Sequence, residues 1–80
     1  MMNEMDLVFK KAKEKAISRI EKPGNVEKPW EDFSEEWLIK RLMDEIEEFK
    51  ELVKKEDAKE ELLDIINLAS FVYLSMEKSD

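Results

Sequence analysis

Apolar residues recur at i, i+3 and i+4 along three stretches of this chain, the spacing of a helix that buries one face. Met5, Val8, Phe9, Ala12, Ala16, Ile17 and Ile20 form the first stripe and predict a helix from about Glu4 to Glu21. Asn3 stands at its N-cap position, with Asp6 three residues on. Lys10, Lys11, Lys13 and Lys15 fill the remaining positions as a solvated face. Lys22-Pro23-Gly24-Asn25 ends the pattern and opens a connector over 22–33. The second stripe is Leu38, Leu42, Ile46, Phe49 and Val53, within a helix expected over 34–53. Asp32-Phe33-Ser34-Glu35 has the form of a capping box, which starts the helix at Asp32 or Ser34. The third helix is expected over 57–76, opened by Asp57 and Glu60 in the same form. It is apolar on nearly every side from Leu62 to Leu74.

These elements predict an all-α chain in one domain over residues 1–80, with helix one over 1–21. The short turn near Lys54-Lys55-Glu56 makes helices two and three antiparallel neighbours. A helix that is apolar all round is a buried one, and two partner helices cannot cover all of helix three. Two copies of the hairpin related by a two-fold axis would make a four-helix bundle, so a homodimer or homotetramer is expected.

Two acidic motifs lie on the hairpin, Glu45-Ile46-Glu47-Glu48 and Glu61-Leu62-Leu63-Asp64. Each places two carboxylates three residues apart, on one helix face. Folding the chain between Lys54 and Lys55 sets Glu48 opposite Glu61 and Glu45 opposite Asp64, a quartet at matching heights. With 21 acidic residues in 80, such pairs also arise by chance, and a solvated acidic face is the competing reading. Asp64 favours the quartet. It lies in the apolar third helix, and no Lys or Arg on its own helix face can pair with it. A carboxylate in such a place needs a partner or a metal, and a cation from outside the chain is the simpler answer.

Asp44-Glu45-Ile46-Glu47-Glu48-Phe49 and Glu60-Glu61-Leu62-Leu63-Asp64-Ile65-Ile66 resemble the paired acidic segments, E-x-x-E and E-x-x-D, of MazG-like nucleotide pyrophosphohydrolases. The resemblance covers residues 37–76, with 12 residues between Glu48 and Glu61. Glu47 stands where that family often has Gly, and Leu63 where a small residue is common. The resemblance implies hydrolysis of a nucleoside triphosphate between its α and β phosphates, giving monophosphate and pyrophosphate. It also implies substrate bound beside a subunit interface. Glu45, Glu48, Glu61 and Asp64 would be the metal ligands and catalytic residues, with Glu45 a candidate to orient the attacking water. Phosphoribosyl-ATP pyrophosphohydrolases share the acidic pattern but typically carry a Tyr-His pair after it. This chain has Asn67-Leu68 there and no histidine.

Mg²⁺, or Mn²⁺ in its place, suits an oxygen-only ligand set, and the absence of His and Cys argues against zinc. Candidate substrate contacts each have an ordinary alternative. Asn67 could donate to a phosphate or sugar oxygen, or make a buried hydrogen bond. Trp30 could stack on a base, or plug the open end of the bundle with Phe33; Trp37 could stack on a base, or pack in the core. Lys40 and Arg41 precede the quartet by a turn; Arg41 is i,i+4 from Glu45, where a plain ion pair forms.

The net charge of −7 argues against non-specific nucleic-acid binding. No apolar run is long enough for a membrane span, and the N-terminal residues lack the pattern of a signal peptide. A cytoplasmic protein is expected. The competing function class is a non-catalytic helical oligomerisation or interaction module whose acidic cluster binds a metal for structure.

Overall fold

The computed structural model describes residues 3–16, 19–22, 24 and 26–78. Three α-helices form the framework: α1 (Glu4–Lys15), α2 (Glu35–Glu51) and α3 (Lys55–Lys78). Among the described residues no helix is long and apolar enough to cross a membrane.

α1 starts where its sequence says it should. The Asn3 side chain accepts from the Asp6 amide at 2.9 Å, and Asp6 accepts in return from the Asn3 amide at 3.3 Å, closing a capping box. It ends six residues before the expected Glu21, with Ala16 already in extended backbone. The chain instead forms β1 (Arg19–Lys22) and β2 (Val26–Pro29), an antiparallel pair that sets Ile20 opposite Lys28 and Lys22 opposite Val26. This hairpin corrects the helical reading of 19–21 and the irregular reading of the connector. Gly24 in the intervening turn has φ +97°, a conformation open to a residue without Cβ. Pro29 ends β2 opposite Arg19, at the end of a two-stranded sheet, a position where proline is tolerated. Ile20 is buried in the main core from the strand rather than from a helix. Ile17, Pro23 and Asn25, which also entered the sequence reading, lie outside the described residues.

A 3₁₀ turn, Trp30–Asp32, leads into α2, whose N-cap Ser34 accepts from the Trp37 amide at 3.1 Å. α2 ends at Glu51, and Val53, expected at the end of its apolar stripe, is 97% exposed. α3 begins at Lys55, so Asp57 is inside its first turn rather than capping it. The expected end at Met76 extends to Lys78.

Leu38 is fully buried and packs with Leu68, Val72 and Ile20, ringed by Trp30, Phe33, Trp37, Ile39, Leu42 and Phe71. Leu38, early in α2, thus meets residues late in α3, while Glu45 further along α2 meets Glu61 and Asp64 nearer the start of α3. α1 packs on α3 through buried Ala12. The rest of the α1 stripe, Met5, Val8 and Phe9, is exposed, as are Leu62, Tyr73, Leu74 and Met76 of α3. The uniformly apolar third helix is therefore only partly covered within one chain.

Candidate metal centre

Glu45 is the buried charged residue of the described chain, 5% exposed. Helix periodicity explains its place. At about 100° per residue, Glu45 projects within about 20° of Leu38, the most buried position of α2. Glu61 lies within about 20° of Leu68 on α3 by the same measure. The packing that buries the two leucines therefore also turns these two carboxylates toward each other. Asp64, one turn after Glu61, completes the group: each of the three offers an oxygen, and these oxygens all lie within 4.8 Å of one another. Glu48, expected as a fourth member, is exposed and lies outside the group. On the same projection it points about 80° from Leu38, off the contact face.

Two cationic side chains adjoin the carboxylates. Arg41 pairs with Glu45 one turn on, the ordinary role for that spacing. Lys15 reaches across from the end of α1. Its Nζ lies 3.2 Å from Asp64 Oδ1 and 3.1 Å from Glu60 Oε2, and donates to the Glu60 carbonyl at 3.0 Å. Asp64 thus has a cation inside the chain, which corrects the expectation that an outside cation is the simpler answer. Burial works against the Lys15 charge, but hydrogen bonds to Glu60 and Asp64, and their charges, outweigh it and raise the Lys15 pKa. The sequence carried one signal for this contact: Asp64 lacks a partner on its own helix, so another element had to supply one.

Glu61 is the unsatisfied member. Its Oε1 is buried and has no hydrogen-bond partner. Burial pushes its pKa up, the charge of Asp64 pushes it further, and Lys15 and Arg41 pull against both. An ionised carboxylate in this position lacks the donors or cation that would offset its desolvation. Oxygen-only donors and an orphaned buried oxygen fit a hard divalent cation.

The other candidate residues are placed elsewhere or engaged in packing. Asn67 Nδ2 donates to the Ala12 carbonyl at 2.9 Å, tying α3 to α1. Trp37 stacks on Phe33 with ring centroids 4.0 Å apart. Trp30 stacks on Phe71 at 5.3 Å, with the Lys78 ammonium 4.8 Å from its ring centroid. Trp30 also lines a cavity of about 340 Å³ with Phe33, Ser34 and Ser75, which shares no lining residue with the carboxylate group. Lys40 is exposed.

No protein-family model and no solved structure matches the chain. A protein of Archaeoglobus fulgidus, described as uncharacterized, is 44% identical over 62 residues, which span 74% of this chain and 67% of the relative. At that identity and coverage this chain belongs to one family with the archaeal protein.

Proposed function

We propose that this chain is a Mg²⁺-dependent nucleoside triphosphate pyrophosphohydrolase, with Mn²⁺ as an alternative metal. The observation that carries the reading is the convergence of Glu45, Glu61 and Asp64 around a buried oxygen with no partner. The resemblance of residues 37–76 to MazG-like enzymes supports it. Glu45, Glu61 and Asp64 would hold the metal, and Glu45, the most buried of them, would orient a water. A metal bound there would neutralise phosphate charge and help place the attacking water, the main requirements of phosphoanhydride hydrolysis. The products would be the nucleoside monophosphate and pyrophosphate.

The same reading takes α2 and α3 as an antiparallel hairpin that assembles with a second copy into a four-helix bundle. Exposed Leu62, Tyr73 and Leu74 on α3, and Met5, Val8 and Phe9 on α1, support assembly, because soluble monomers rarely leave large contiguous apolar patches in water. The test is a panel of nucleoside triphosphates assayed for pyrophosphate release with Mg²⁺ and with chelator. Metal-dependent release that disappears in Asp64→Asn is the expected result.

One observation favours a second reading. Lys15 and Arg41 already pair with Asp64 and Glu45, leaving one net negative charge on the three carboxylates and two cations. That balance suits a non-catalytic helical oligomerisation or interaction module in which the cluster binds metal for structure. Metal binding without turnover on any nucleotide of the panel would select it.

A further inference from the structure

Lys15 is the last residue of α1, and its side chain crosses to α3. An ammonium has three N–H donors and no acceptor. Here it faces three oxygens: the Glu60 carbonyl at 3.0 Å, Glu60 Oε2 at 3.1 Å and Asp64 Oδ1 at 3.2 Å. Asp64 is also one of the carboxylates that converge with Glu45 and Glu61. One carboxylate therefore serves a cation of the chain and belongs to the group suited to a cation from outside.

We propose that Lys15 is the resting counter-ion of the carboxylate group, and that a divalent cation loads by displacing its ammonium from Asp64. This rests on the metal-binding reading above. With Lys15 in place, Glu61 Oε1 still has no partner, so the resting arrangement leaves the group incompletely satisfied. Lys15 is also the easier of the two cations to release. Its side chain is 34% exposed and that of Asp64 39%, so both regain water when they part, and a pair this exposed is weak. Arg41 is paired with a Glu45 side chain only 7% exposed, and stripping a cation from a buried carboxylate is costly. Displacement also reaches beyond the site. Lys15 and the Asn67–Ala12 hydrogen bond both tie α1 to α3, and loading would loosen the first of these ties by leaving Lys15 only its contacts to Glu60.

Mn²⁺ binding, read from the loss of the free-ion electron paramagnetic resonance signal, tests this without reference to turnover. Lys15→Met keeps the stem and removes the charge, and is expected to bind Mn²⁺ about fivefold more tightly than the parent chain, a modest coupling. Lys15→Arg, which keeps the charge, should stay within about twofold of the parent. Lys13→Met controls for net charge: Lys13 is exposed in the last turn of α1, and screening should hold its effect below about twofold. If the parent binds Mn²⁺ and Lys15→Met binds no more tightly, or Lys13→Met tightens binding equally, the counter-ion role is overturned while the metal reading stands. If neither the parent nor Lys15→Met binds at millimolar Mn²⁺, both fall. Should Lys15→Met be unfolded in chelator, recovery of its helical circular dichroism at micromolar Mn²⁺ supports the role, and no recovery at millimolar Mn²⁺ overturns it.

Discussion

Glu61 shows what a single residue contributes when its surroundings are incomplete. Its carboxyl has a raised pKa in the folded chain, because burial and then the Asp64 charge disfavour ionisation. Below the ordinary carboxylate range it is protonated in both folded and unfolded chains, and its contribution to stability is fully present. As pH rises through the raised folded value, the unfolded chain has already released its proton and the contribution is lost. Glu61→Gln removes this liability. In chelator at neutral pH it is expected to raise stability by about 1 kcal/mol, the low end for a buried unpaired group, or roughly 4–8 °C in a domain of this size. The advantage of the variant should shrink as pH falls below the carboxylate range. A melting difference that is constant with pH would show that Glu61 is not the cause. Metal binding sorts the acidic residues differently. Asp64→Asn should weaken Mn²⁺ at least about tenfold, the loss of ~1.4 kcal/mol. Glu48→Gln, exposed and outside the group, should leave it within about threefold. Equal losses in the two variants would return Glu48 to the ligand set.

At the scale of elements, the starts of α1 and α2 were more legible than their ends. Asn3 and Ser34 announce caps because a short polar side chain next to an apolar stripe has a definite job, accepting from an unpaired amide. The end of α1 was not legible. Ala16, Ile17 and Ile20 continue a helical spacing, yet Ile20 also fits a strand that buries every second residue. Pro23-Gly24 followed by Val26 is a turn between two short runs as well as a helix stop. Pairing with β2 and contact with Leu38, Leu68 and Val72 decided between them. Gly24 carries a prediction of its own. Among the described residues no atom lies within 4 Å of where its Cβ would be, so Gly24→Ala meets no clash there. The cost comes from φ +97° alone, and is expected at about 1–2 kcal/mol. Chemical denaturation would measure it, and a variant as stable as the parent would show that the turn adopts another conformation.

For the whole molecule, the balance of buried and exposed apolar surface is the guiding fact. Leu38, Leu68, Val72, Ile20 and Ala12 are buried, while Met5, Val8, Phe9, Leu62, Tyr73 and Leu74 remain exposed. Covering a side chain of this size is worth about 1.5–3 kcal/mol, which matters to a chain this short. Sedimentation at micromolar concentration is therefore expected to give a dimer or larger. A folded, active species near 9.6 kDa would overturn the assembly.

The sequence by itself determined the three-helix framework, the Asn3 cap of α1, and the two acidic motifs on α2 and α3. Those features follow from local spacing and one short connection, which leave the chain little choice. Tertiary packing alone decided the rest. The rotation of α2 about its axis turned Glu45 inward and left Glu48 exposed, since Leu38 fixed which face met α3. Contacts far apart in sequence brought Lys15 to Asp64 and Asn67 to Ala12. A lysine in a run of lysines looks like solvent-facing charge until the fold shows which carboxylate stands opposite it.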